Sequence, residues 1–314
     1  MSVLIVGTHP WLGDDMMKGW AVSSGISSEA WFNEALYPDW GQRFKVVKEL
    51  VHKRSPFQDI RIFESSSHGR VLVLDGIIQI TERDEFIYQE MLAHVPLFMH
   101  PYPKRVLIIG AGDGGVLRRV LQHKTVEKAV MVEIDGDVIE LSKQHLPMFG
   151  KDAWDDPRAD VIVGDGIDYV KKADDGAFDV IIVDSTDPIG VGDVLFTDDF
   201  YKNCARILSD EGIIVNQCGV PFQQADELRE TTARRAKFFP HVTAYLAAVP
   251  TYVGGFMTLG MAKKGTAPHK LELATLQKRA QESEIAESCQ YWTPEVHIAS
   301  FSLPPYIAQN LPRS

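Results

Sequence analysis

The sequence predicts an α/β protein: a Rossmann-like, doubly wound, mainly parallel sheet preceded by a small N-terminal antiparallel β domain. Three observations predict it. Short apolar runs alternate with helical stretches beyond Pro103, the spacing of βαβ units. The first of those runs ends in the glycine-rich turn Gly110-Ala111-Gly112-Asp113-Gly114-Gly115. Upstream, Asp75-Gly76 separates two runs of Val, Leu and Ile, a two-residue hairpin signal.

The elements follow in order. Residues 1–30 carry scattered glycines and a Ser-rich stretch without sustained period, and read as an extension. Residues 44–50, 59–64 and 70–81 are rich in Val, Ile and Phe and read as strands, the last folded at Asp75-Gly76. A helix is expected from Asp84, with Ile87, Met91 and Val95 on one face. Residues 31–98 are therefore expected to form a β domain ending in a helix, and residues 99–314 a Rossmann-like domain. Within the latter, 105–110, 129–135, 159–165, 178–185 and 212–217 read as buried strands. Helices are expected at 114–123, 137–145, 166–173 and 198–208, an edge hairpin at 242–248 and 256–262, and a mixed helical tail.

Composition narrows the function. Hydrophobic residues make up 45% and charged residues 24%, an ordinary globular balance, and the net charge is −11. That charge argues against nonspecific nucleic-acid binding and suits a cationic ligand. Three dispersed cysteines, Cys204, Cys218 and Cys289, suggest reduced thiols in a cytoplasmic protein rather than a disulfide framework or zinc cluster. The apolar run at residues 3–6 is too short for a membrane span and has no basic flank, so neither a signal peptide nor a membrane helix is expected. No His, Cys and Asp set has metal-ligand spacing, and no metal is expected. Trp31, Trp40, Trp154 and Trp292 are read as packing residues, and His94 and His100 as core or capping residues.

In an open α/β sheet, ligands bind beyond the carboxyl ends of the strands. Asp113 would repel a pyrophosphate at a helix N-terminus, so a cation is favoured there over a dinucleotide; the alternative is a helix N-cap. Glu133, about twenty residues on, is placed either for ribose hydroxyls or as a capping charge. Asp165-Gly166 can contact an adenine, although alone the pair reads as a plain turn. Asp184 and Asp187 leave the fourth strand together, with Pro188 biasing Asp187 toward extended backbone. Crowded carboxylates raise a pKa unless a cation lies between them, so these acids predict one acidic cleft.

Taken together, Gly110–Gly115, the acidic strand ends and Asp184-Ser185-Thr186-Asp187-Pro188 resemble the spermidine synthase family of aminopropyltransferases. Glu82-Arg83-Asp84-Glu85-Phe86-Ile87-Tyr88-Gln89-Glu90-Met91 and Pro250-Thr251-Tyr252 fit the same family, and the likeness runs from Trp31 to the C-terminus. The resemblance implies a class I methyltransferase-like sheet. It also implies transfer of an aminopropyl group from decarboxylated S-adenosylmethionine, a co-substrate rather than a cofactor, to putrescine. By position it implies Gln58 and Glu133 for the nucleoside, Asp165 and Gly166 for adenine, and Asp113 for the aminopropyl amine. Asp184 matches the proton acceptor, and Tyr88, Gln89, Asp187 and Tyr252 match the amine pocket. Val191 stands where many relatives have Pro, at a loop contact with the adenosyl group. A homodimer is implied as well. Chemistry agrees with the reading, because donor and acceptor are both cations and one acid must take a proton from the attacking amine, with Tyr88 assisting Asp184. A putrescine N-methyltransferase, or a polyamine-binding protein without catalysis, is the alternative. The loop at 191–196 is expected to close over substrates.

Overall fold

The computed structural model describes residues 30–185, 197–265 and 271–312. Strands β1 (Trp31–Asn33), β2 (Arg43–Arg54), β3 (Asp59–Ser65), β4 (Gly69–Leu74) and β5 (Ile77–Thr81) form an antiparallel sheet in that order. The β4–β5 turn is the anticipated one, with Asp75 at φ +48° and Gly76 at φ +81°. Two successive positive φ values match the twist of the flanking strands, which is why Asp-Gly stands there. One face of this sheet, through Ile60, Ile62, Leu72, Leu74 and Ile80, packs against Val138, Leu141, Leu146 and Phe149 of the larger unit. The other buries Phe32, Phe44, Phe63, Val71, Val73 and Ile78.

After α1 (Glu85–Met99) come β6 (Arg105–Gly110), α2 (Gly115–Leu121), β7 (Lys128–Glu133), α3 (Gly136–His145) and α4 (Pro147–Gly150). A 3-10 turn at Lys151–Asp155 leads to β8 (Ala159–Val163), α5 (Gly166–Lys172), β9 (Phe178–Asp184), α6 (Asp198–Ile207) and β10 (Leu208–Gln217). The chain continues through α7 (Pro221–Arg235), β11 (His241–Ala247), β12 (Met257–Lys263), α8 (Leu273–Ser283), α9 (Pro294–Ser300) and α10 (Pro305–Ala308). The second sheet runs β11-β12-β10-β9-β6-β7-β8. Strands β6 to β10 are parallel, and β12 is antiparallel to both its neighbours. Strand order therefore reverses at β6, and the crevice between the ends of β6 and β9 is where a ligand site belongs.

Several expectations need adjusting. The strands expected at 129–135 and 159–165 end at Glu133 and Val163, because Asp135 and Asp165 turn away to cap α3 and α5. The helix grouped with the β domain packs Met91, Leu92, Val95 and Phe98 into the core that also holds residues of the parallel sheet. Trp292 is fully buried and stacks on Phe98 at 4.3 Å, but Trp31 and Trp40 are 39% and 45% exposed. Both pack at the surface, Trp31 under the Arg43 guanidinium and Trp40 on the edge of Phe222. Among the described residues no helix is long and apolar enough to cross a membrane.

Candidate active site

Everything at this site depends on how closely β6 and β9 end. Gly110, the last residue of β6, has φ +84°, and a Cβ there would lie 2.0 Å from the Asp184 carbonyl oxygen. Only glycine permits that approach. The next N–H, of Ala111, donates to the same carbonyl at 3.1 Å, and Ala111 accepts φ +62° to do so. The turn thus crosses the end of β9 and brings Asp113 and Asp184 onto one cavity of about 240 Å³. A Cβ at Gly112 would lie 3.0 Å from the Glu133 carboxylate, so the second strand's acid rests against the same turn.

The side chains converge in two groups. On the β6–β9 side, the Tyr88 hydroxyl donates to Asp184 Oδ1 at 2.7 Å, and the Tyr88 ring meets the edge of Tyr252 at 5.6 Å. Tyr252 in turn donates its hydroxyl to the Gln79 carbonyl at 2.8 Å, across to β5. Asp113 Oδ1 accepts from Gln89 Nε2 at 2.9 Å and from the Gly115 N–H at 2.7 Å. On the β7–β8 side, Glu133 Oε1 accepts the Asp135 N–H at 2.9 Å. Asp135 Oδ2 accepts from Gln58 Nε2 at 2.9 Å and from Ser55 Oγ at 2.6 Å, which ties the β3 approach to the cavity wall. Asp165 Oδ1 caps α5 through the Ile167 N–H at 2.7 Å while the residue stays exposed. Gly166 is buried, and a Cβ there would lie 2.5 Å from Ile109 Cγ2.

Burial shapes the electrostatics. It pushes Asp113 up to about 8, with the charge of Asp184 adding to the shift. It pushes Glu133 up to about 7. Asp184 rises to about 6 for the same reason, and the Tyr88 hydroxyl pulls it partway back. Tyr88 itself is driven well above its ordinary value by burial and by Asp184, so it stays a proton donor. These three buried acids share a cavity whose described lining carries no Lys, Arg or His, an arrangement that suits a cation.

Of the residues singled out from the sequence, Gln58, Tyr88, Asp113, Glu133, Asp165, Gly166, Asp184 and Tyr252 line this cavity. Gln89 is fully buried one layer back, where it reaches the site through Asp113. Asp187, Val191 and the loop at 191–196 lie outside the described residues. Sequence reasoning passed over Asp135, which holds Gln58, and over Glu34, Tyr37, Gln79, Gln217 and Gln224, which complete the wall. Asp135 carries a local signal, an acid opening a helix, but its partners Ser55 and Gln58 lie far back in the chain.

Comparison with known proteins places this geometry. Residues 85–271 match the family model described as spermine/spermidine synthase domain, and residues 30–82 match the spermidine synthase tetramerisation domain. The chain belongs to the spermidine synthase family. The polyamine aminopropyltransferase of Pectobacterium carotovorum subsp. carotovorum is 48% identical over 283 residues, 90% of this chain and 97% of that one. The same-named protein of Ruegeria sp. (strain TM1040) is 47% identical over 287 residues, 91% of this chain and 100% of its own. Among solved structures, a spermidine synthase in complex with the transition state analogue AdoDATO superposes with a TM-score of 0.83. It is 41% identical, and the match covers 90% of this chain and 94% of that one. The spermidine synthase from Thermotoga maritima gives a TM-score of 0.82 at 40% identity, with the same coverage of both chains.

Proposed function

We infer that the protein transfers the aminopropyl group of decarboxylated S-adenosylmethionine to putrescine, giving spermidine and methylthioadenosine. The observation that carries this reading is the Tyr88–Asp184 contact beside Asp113 and Glu133 in one buried cavity at the switch point. A carboxylate–ammonium pair at 4 Å is worth about 4 kcal/mol at an effective dielectric of 20, before desolvation. Acids can therefore hold both cationic substrates. Yet the attacking nitrogen must be neutral, and a primary amine with a pKa near 10.4 is neutral in roughly one molecule in 2,500 at pH 7, a deficit of about 4.6 kcal/mol. One acid has to remove that proton.

Asp184 takes this role in the proposal. The amine lone pair attacks the aminopropyl carbon next to sulfur, the C–S bond breaks, and the electron pair leaves with the thioether. The proton lost from nitrogen passes to Asp184, whose upward shift to about 6 brings it closer to a working base. Tyr88 orients that carboxylate. Asp113 receives the aminopropyl ammonium, positioned by Gln89; Glu133 takes the ribose, with Gln58 beside it, and Asp165 and Gly166 face the adenine. Tyr252 lines the acceptor side, and Asp187 and Val191 are assigned there and to the adenosyl side from the sequence. The sulfonium is already a good leaving group, so positioning supplies most of the catalysis and no metal or cofactor is invoked.

Two further assignments belong with this reading. We place the boundary between the two units at residues 82–84, ahead of α1. Self-association is assigned to the β unit, which the tetramerisation-domain model covers, with a homodimer as the smallest assembly. A cytoplasmic setting suits the three free thiols.

The deciding experiment is mass spectrometry of purified protein with putrescine and decarboxylated S-adenosylmethionine, with S-adenosylmethionine in a parallel tube. Spermidine and methylthioadenosine in the first tube alone support the reading, and N-methylputrescine in the second overturns it. Asp184→Asn should lower turnover by a factor of about 10² to 10⁴, the contribution of a general base, while retaining methylthioadenosine binding. Near-normal turnover of that variant would remove Asp184 from the role.

A further inference from the structure

Asp84 starts α1, yet it does not cap it. Asp at this position ordinarily accepts a hydrogen bond from an N–H in the first helical turn, and the Asp84 side chain makes none. It turns the other way and is 5% exposed. One oxygen, Oδ1, accepts from the Thr81 hydroxyl at the end of β5. The other, Oδ2, accepts both the N–H of Thr251 at 3.0 Å and its hydroxyl at 2.6 Å. Thr81 and Thr251 are themselves buried. A buried carboxylate with three donors is a built junction, since each donor left unpaired there would be costly.

What the junction holds is the segment that presents Tyr252. The same segment is tied down on either side by two other groups of the β unit: the Gln42 carboxamide donates to the Thr251 carbonyl, and the Gln79 carbonyl accepts the Tyr252 hydroxyl. Helix α1 is anchored separately. Glu85 pairs with Arg118 at 3.2 Å and with Arg119 at 3.5 Å, and Glu90 pairs with Arg119 at 3.4 Å. Loss of the Asp84 contacts therefore leaves Tyr88 in place and loosens the Thr251–Tyr252 side of the cavity, which Gln42 and Gln79 of the β unit then still hold. We propose that Asp84 is a positioning residue for the acceptor pocket, locking Tyr252 against Tyr88 by clamping Thr251 to the end of β5. The inference rests on the aminopropyl-transfer reading for its substrate and on these contacts for its geometry.

The test compares Asp84→Ala, Asp84→Asn and Thr251→Val with the wild type for putrescine KM, kcat, methylthioadenosine Kd and Tm. Asp84→Ala should raise putrescine KM about tenfold, with kcat falling less than about threefold and methylthioadenosine Kd staying within about twofold. Asp84→Asn keeps an oxygen toward Thr251 and should recover most of that loss. Thr251→Val removes only the hydroxyl and should raise KM roughly threefold, which keeps the question open to measurement even if Asp84→Ala fails to fold. A fall in Tm with unchanged putrescine KM in the folded variants, or parallel loss of donor and acceptor affinity, overturns the proposal. Wild-type turnover in the same assay judges the aminopropyl-transfer reading separately: an inactive wild type sinks that reading, whereas an active one with flat variants sinks only the role of Asp84.

Discussion

At the scale of single residues, the acids were legible and their partners were not. Asp113, Glu133 and Asp184 announce themselves as carboxylates where strands end, and all three face one cavity. The helix-start contact of Asp113 does not withdraw it from the cavity. Its Oδ1 satisfies the Gly115 N–H and Gln89, and its carboxylate still lines the cavity. Gly110 was legible as part of a turn, but its contact with the Asp184 carbonyl joins residues far apart in sequence, and no local pattern encodes that. The contact makes a prediction. Gly110→Ala adds a methyl at φ +84° and 2.0 Å from the Asp184 carbonyl oxygen. The backbone penalty of about 1 kcal/mol and an overpacking cost of about 1–3 kcal/mol act together. The melting temperature should fall by roughly 4–16 °C at about 2–4 °C per kcal/mol, and turnover should fall further, because the end of β9 moves with Asp184. Calorimetry beside a turnover assay at a temperature where the variant is folded checks this; unchanged turnover would show that the approach is tolerant.

At the scale of elements, hydrophobic period identified the strands of the parallel sheet and the helices between them, because buried strands and amphipathic helices write different patterns. It says less where burial is complete. Helix α1 is buried on nearly every side, including Gln89, Glu90 and His94, so its own sequence does not say which sheet it serves. Its polar residues do say so once their partners are known. Glu90 is fully buried and accepts the N–H groups of Gln290, Tyr291 and Trp292 at 2.9–3.0 Å, while pairing with Arg119. This carboxylate fastens the C-terminal segment to α1. Glu90→Ala would strand those donors and one side of the Arg119 guanidinium, a change of the kind that costs about 3–5 kcal/mol. Denaturant titration should show the midpoint falling with that loss. Methylthioadenosine affinity of the folded fraction should stay close to wild type, since Glu90 does not line the cavity. A shift of less than about 1 kcal/mol would mean that the segment is held mainly by Trp292 stacking on Phe98.

At the scale of the whole molecule, the order of strands could not be read from the chain, since every parallel run is similarly apolar, yet that order is what gathers acids from β6, β7 and β9 into one place. Gathering them makes stability depend on pH in two opposing ways. His123 and His297 are held down to about 3 by burial, and His94 well below its ordinary value. Below pH 6.5 the unfolded chain binds protons that these imidazoles refuse, so they make stability rise with pH up to that point. Asp113, Glu133 and Asp184 act in reverse. Their folded values of about 8, 7 and 6 stand above those of unfolded carboxylates, so the native state holds protons the unfolded chain has released. Their contribution is complete below about pH 4 and is lost as pH rises through 6 to 8. The ligand-free protein should therefore be most stable near pH 6 and lose stability toward pH 8.5. Asp113→Asn keeps an oxygen for Gly115 and Gln89 but cannot ionise, so it should flatten the alkaline limb and melt higher than wild type at pH 8.5. A bound diamine should flatten the same limb in the wild type, because a cation favours the ionised acids and releases their protons on binding. Melting scans from pH 5 to 9, with and without putrescine, read all three effects. A wild-type curve still rising at pH 8.5 would mean that the three carboxylates are ionised in the empty cavity and that no protons leave when the amine arrives.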